Sequence, residues 1–308
     1  MGGPVEVDRD LMLLALDVGN TQTVIGLFAS GSGGPTRATG EAYRAGRADA
    51  GSAREPRELA DLVHHWRLAT VAERTADEYA LLVTELLGLV GLGFTGASVE
   101  DGVDGIVVSS SVPDVTSAVR EMARIWFDVP LVVIEPGIRT GMPILYDNPR
   151  DVGADRVANA VGALDLYGSP AIVVDMGTAT TFDAISAAGE YAGGAITPGI
   201  EISMDALFEH AAALRRVELV EPRNVIGKST VESIQSGVIY GYTGLVDAMC
   251  RRISAELGPS TIIATGGLAG LITPLSEMIQ HHEPWLTLHG LRLVFDRNVA
   301  GQDSGRET

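Results

Sequence analysis

Cysteine is almost absent: Cys250 is the single one among 308 residues. No internal disulfide can form, so burial has to hold the fold, as expected of a cytoplasmic protein. Basic residues are scarce, with 22 Lys and Arg against 40 Asp and Glu and a net charge of −18. That balance argues against a nucleic-acid partner, because phosphates favour basic surfaces. No apolar run reaches the length of a bilayer span, and Met1 to Asp10 is acidic where a signal peptide would be basic. No membrane association is expected. What remains is 46% hydrophobic and only 20% charged residues, a composition with sizeable cores. The length is generous for one core and comfortable for two packed lobes.

Two stretches say nearly the same thing. Leu13 to Thr21 and Ile172 to Thr180 each carry a buried-looking apolar run into Asp-x-Gly and a small polar residue, and a second β-rich run follows. The reading is a strand, a tight turn and a returning strand. Glycine in the turn lets backbone N–H groups approach a phosphate with no Cβ in the way. A lone Asp-x-Gly turn is common hairpin geometry, but two copies, one per half, point to a duplicated α/β fold gripping a nucleotide phosphate chain.

Between these stretches strands and helices alternate. An Ala/Arg/Gly-rich stretch at 31–59 has no period and reads as a flexible surface insertion. Leu62 to Leu68 reads as a third strand. Thr75-Ala76-Asp77-Glu78 is a capping box opening a helix with apolar positions Leu81, Leu82, Leu86 and Leu89. Gly105 to Ser109 and Leu131 to Ile134 read as strands, and Pro113 to Phe127 and Val152 to Leu166 as helices. Further strands are expected near 171–175, 180–186, 191–196 and 261–264, with a long helix over Thr230 to Leu257. Strands clustered before helices in each half imply two ribonuclease-H-like lobes, 11–168 and 169–300, with a nucleotide cleft between them.

Other chemistries find little support. Gly227-Lys228-Ser229 looks like the end of a P-loop, yet Pro222 stands where its first glycine belongs. His64-His65 and His281-His282 are adjacent pairs whose rings diverge, with no Cys or acidic partner at ligand spacing. Ser109-Ser110-Ser111 lacks the glycines of a nucleophile elbow.

The ordered motifs resemble the type III pantothenate kinases of the actin-like ATPase superfamily. They include Asp17-Val18-Gly19-Asn20-Thr21, Tyr146-Asp147-Asn148-Pro149 and Val152-Gly153-Ala154-Asp155-Arg156. Asp175-Met176-Gly177-Thr178-Ala179-Thr180-Thr181, Gly193 to Gly199, Gly227-Lys228-Ser229-Thr230 and Thr265-Gly266-Gly267 follow in family order. The resemblance spans about residues 11–300 and implies ATP-dependent phosphorylation of pantothenate, the first step toward coenzyme A. It also implies a homodimer with the pantothenate pocket at the subunit interface.

Residue roles carry over with it. Asp17, Val18, Gly19, Asn20, Thr21, Gln22, Thr23 and Val24 would cradle the ATP phosphates, Asp17 near Mg²⁺, and Thr178 would contact the same nucleotide. Asp155 would be the general base, lying with Gly153, Ala154 and Arg156 against pantothenate, and Tyr146 and Thr230 would complete that pocket. Asp175 would bind a monovalent cation, K⁺ or NH₄⁺. The residue types suit the chemistry. A carboxylate can take the alcohol proton, and a guanidinium fork suits the pantothenate carboxylate. Bound cations offset the repulsion between ATP and an acidic protein. Taken alone, Asp155 suits the first turn of a helix by its dipole, Tyr146 is ordinary packing and Thr230 an ordinary N-cap. An acid ending the apolar run Ala171 to Val174 has the better independent case. Leu145 and Arg215-Arg216 depart from the family pattern. Two alternatives remain: a kinase of another small hydroxylated substrate, or an actin-like nucleotide-binding regulator without turnover.

Overall fold

The computed structural model describes residues 11–30, 59, 61–92, 103–211 and 214–303. The insertion expected at 31–59 lies outside them, apart from Leu59. The described chain divides into two compact units. One comprises the described residues up to Arg139 together with those from Leu291 onward; the other is Thr140–Gly290.

The first unit opens with a hairpin of β1 (Leu11–Val18) and β2 (Gln22–Ser30). Its last two pairs, Asp17 with Val24 and Val18 with Thr23, close a four-residue turn over 19–22. β3 (Leu62–Ala69) adds to β2 as an edge strand. Helix α1 (Ala76–Leu89) starts at the expected capping box, with Thr75 and Glu78 bonding reciprocally. Its buried face differs from the expected one. Ala76, Tyr79, Ala80, Val83 and Leu87 face the core, whereas Leu81 and Leu89 are 65% and 77% exposed. The helical 3.6-residue period selects the first set as one stripe, and the leucines fall beside it.

β4 (Gly105–Ser110) runs parallel to β1. The helix expected over 113–127 is α2 (Pro113–Met122) followed by a π-helical turn, Ala123–Phe127, that ends at Asp128 with φ +50°. The wider turn buries Phe127 while Trp126 donates to Asp77 at 2.9 Å. β5 (Leu131–Val133) completes the order β3-β2-β1-β4-β5. Apolar residues of β1, β2 and β4 (Leu14, Leu16, Ile25, Ile106, Val108) pack under Tyr79, Val83, Val115 and Met122 of the two helices.

The second unit repeats the plan. Helix α3 (Ala154–Tyr167) precedes β6 (Ala171–Met176), β7 (Ala179–Ile185) and β8 (Tyr191–Pro198). Then come α4 (Ile200–His210), α5 (Thr230–Leu257), β9 (Thr261–Thr265), the short α6 (Ala269–Ile272), β10 (His281–His282) and α7 (Leu286–Asp303). The order β8-β7-β6-β9-β10 matches that of the first sheet. Here the hairpin closes with Met176 opposite Thr180, a turn one residue shorter.

Ile172, Val174, Met176 and Phe182 pack with Met204, Val246 and Cys250 of α4 and α5. Helix α3 packs against β6 and β7. It falls in the second unit although the sequence division places it before 168. Every residue from Arg156 to Ala163 is buried, which is why this helix is built from Ala, Gly and Val. The first turns of α7 press on it so closely that a Cβ at Gly290 would sit 1.9 Å from the Ala158 carbonyl oxygen.

Candidate active site

The two Asp-x-Gly turns take the shape their repetition predicts. Asp17 lies at the C-terminal end of β1, in register with Ser109 on parallel β4. The buried Ser109 hydroxyl donates to Asp17 Oδ1 at 2.6 Å. Val18 is buried, and Gly19 follows, its N–H donating to Gln22 O at 3.0 Å. Asn20, Thr21 and Gln22 are exposed at the tip, Thr23 is buried against Thr70, and Val24 is half-buried. The tip thus presents backbone and short polar side chains, which is what an anionic ligand requires.

In the second unit Asp175 occupies the matching place on β6, in register with Thr265 on β9. Gly177 N–H donates to Ala179 O at 3.0 Å, and Thr178 is exposed at the tip. Asp175 Oδ2 accepts from Asn159 Nδ2 at 2.8 Å. Gly266 adopts φ +92°, and a Cβ there would come within 2.5 Å of Asp175 Oδ1. Only glycine fits that turn beside the carboxylate. Asp17 and Asp175 are oxygen donors of the hard kind that Mg²⁺ and K⁺ prefer. A magnesium ion carried by phosphates takes one or two protein carboxylates, so residues of this type fit the cations expected from the sequence. No group of three or more His, Cys, Asp or Glu placed to hold a metal occurs among the described residues.

Asp155 is exposed in the first turn of α3, where Oδ1 accepts from the Arg156 N–H at 2.8 Å. Gly153, the N-cap, leaves room for it, because a Cβ there would lie 2.6 Å from Asp155 Oδ1. Ala154 begins the helix between them. Arg156 points the other way. It is 6% exposed, and its Nε donates to Asp183 Oδ1 at 2.7 Å. Nη2 lies 2.7 Å from the same oxygen but outside hydrogen-bond geometry.

Asp183 is fully buried on β7 and also accepts from the Tyr191 hydroxyl at 2.7 Å and from Thr181. Burial pushes the Asp183 carboxyl above its ordinary value, and Arg156 and the hydroxyls pull against that. For Arg156, burial opposes the charge, but Asp183 outweighs it and the guanidinium stays protonated. The Tyr191 hydroxyl is raised by burial and then by the Asp183 charge. Tyr146 is half-buried with its ring centroid 6.3 Å from that of Tyr191. The Arg156 guanidinium is therefore spent on a buried pair that underlies the two tyrosines.

Thr230 stands outside these hydrogen-bonded groups, exposed in the first turn of α5. The N-cap there is the preceding residue, Ser229, which accepts from Glu232 N–H at 3.2 Å. Four residues escaped the sequence reading: Ser109, Asn159, Asp183 and Tyr191. Asn159 and Asp183 carried a signal, a polar residue inside an otherwise apolar buried run. The Thr287 partner of Asn159 and the Arg156 partner of Asp183 are distant in sequence and so invisible there.

The sequence pattern of the type III pantothenate kinases matches residues 13–252. The type III pantothenate kinase of Streptomyces avermitilis is 51% identical over 294 residues, covering 94% of this chain and 99% of its own. That of Saccharopolyspora erythraea is 51% identical over 295 residues, covering 93% and 99%. Among solved structures, a conserved Campylobacter jejuni protein assigned to the Baf family of transcriptional activators aligns at 15% identity with a TM-score of 0.51. The alignment covers 93% of this chain and 98% of that one, and it bears on the fold alone. With half of its residues shared along nearly its whole length, the chain belongs to the type III pantothenate kinase family.

Proposed function

We infer that this protein transfers the γ-phosphoryl group of ATP to the terminal hydroxyl of pantothenate, the opening step of coenzyme A synthesis. One observation supports the residue roles most directly. Asp155 and Asn159 lie four residues apart on α3, about 6 Å along its axis, and Asn159 bonds Asp175. The proposed base and the proposed cation ligand are thus joined through one helical turn.

Asp155 orients the pantothenate hydroxyl and takes its proton as the oxygen bonds to the γ-phosphorus; the bond to the bridging oxygen breaks and ADP departs. Asp17, oriented by Ser109, would hold Mg²⁺, and Asp175 would hold K⁺ or NH₄⁺. Bound there, the cations would neutralise charge on the phosphates. The turns 18–24 and 177–179, with Thr178, would receive the nucleotide through backbone N–H groups. Tyr146 would wall the pantothenate pocket with Gly153, Ala154 and Thr230. Arg156 would serve that wall from behind, holding Tyr191 through Asp183.

A homodimer is supported by apolar residues left exposed around Thr230 and Tyr146: Val225 at 65%, Ile226 at 82%, Val231 at 48% and Leu145 at 56%. No helix among the described residues is long and apolar enough to cross a membrane. The single cysteine supports a cytoplasmic location. ADP release measured with and without pantothenate tests the whole reading. Absence of any pantothenate-dependent release overturns it and favours a nucleotide-binding regulator without turnover.

A further inference from the structure

Asn159 is fully buried on α3, and both ends of its amide are engaged. Nδ2 donates to Asp175 Oδ2 at 2.8 Å, and Oδ1 accepts from the Thr287 hydroxyl at 2.7 Å. Chemistry dictates this orientation. A carboxylate only accepts, so the amino end must face Asp175; a hydroxyl can donate, so it serves the carbonyl end. The flipped amide would set two acceptors against each other. Across Asp175, the other carboxylate oxygen faces Gly266 and Gly177, whose Cβ atoms would lie 2.5 and 3.6 Å from it. One oxygen is thus tied to the buried amide while the other is aimed at the two glycine turns.

We propose that Asn159, itself oriented by Thr287, is a positioning residue that fixes the direction of the Asp175 carboxylate. The proposal rests on the reading of Asp175 as a cation-holding residue of the nucleotide site. Loss of the Thr287 hydroxyl removes what pins the amide, and the carboxylate loses its single direction.

The experiment measures Mg-ATP binding by titration calorimetry in K⁺ on folded full-length protein, and the pantothenate KM by steady-state kinetics. Thr287→Val should weaken Mg-ATP binding about threefold to tenfold, Thr287→Ser should restore it, and the pantothenate KM should not move. Asp175→Asn serves as the reference. If it weakens binding while Thr287→Val leaves affinity unchanged, the positioning role is overturned and the reading of Asp175 stands. If Asp175→Asn is itself silent, that reading fails and the positioning role falls with it.

Discussion

Ser109 and Asp17 face each other in register on parallel strands, and the serine hydroxyl donates to the aspartate carboxylate at 2.6 Å. The bond fixes the orientation of that carboxylate at the end of β1. Ser109→Ala should therefore raise the KM for Mg-ATP about tenfold, with the pantothenate KM unchanged. Asp17→Asn should lower kcat as well, and extra Mg²⁺ should rescue it only in part. Steady-state kinetics in both substrates separates the two. Equal damage to both KM values in the serine variant would show a general structural defect.

Asp155→Asn keeps shape and removes the proton acceptor. Turnover should fall by about 100-fold or more, while calorimetric ATP affinity stays near that of the unaltered protein. Near-normal turnover would reduce Asp155 to a carboxylate favoured by the helix dipole.

The Arg156–Asp183 pair is buried, and each member would be stranded without the other. Arg156→Met or Asp183→Leu alone should cost about 3 kcal/mol or more in urea unfolding. The double variant should recover a good part of that loss. An additive double variant would deny the coupling.

Cys250 is buried between α5 and the second sheet, and its thiol is pushed up to about 12 by burial and by the Asp247 charge. Native protein at pH 8 should resist iodoacetamide, and urea-unfolded protein should label readily. Rapid labelling of native protein would mean that the second core opens easily.

If the pantothenate pocket is shared between subunits, Asp155→Asn and Thr230→Trp should complement one another. In a mixed dimer, two-fold symmetry places both lesions in one pocket and spares the other. With random exchange, confirmed by differently tagged subunits, activity should return to about a quarter of the unaltered level. No return would place Thr230 and Asp155 in a pocket of one protomer.

The sequence told most where a motif is local. The Asp-x-Gly hairpins, the Thr75 capping box and the span of α5 are set by neighbours a few residues apart, and the structure reproduces them. It told less where tertiary packing chooses. The exposed Leu81 and Leu89 show that leucine content does not name the buried face of α1. From the sequence the Arg156 guanidinium is expected against the pantothenate carboxylate, yet Asp183, 27 residues on, takes it indoors. Asn159 hides for the same reason, because its meaning depends on Thr287, 128 residues later.

The two hairpin turns differ by one residue, and that sets how the halves of this chain map onto each other. Counted forward from the aspartates, Thr23 would match Thr181. Strand pairing instead matches it to Thr180, and both threonines are 1% exposed. An overlay without a gap would invert the inward and outward faces of β2 relative to β7. Any symmetric protein assembled from two copies of one half must therefore settle on a single turn length, and with it give up the asymmetry that distinguishes the tip holding Asn20 from the tip holding Thr178.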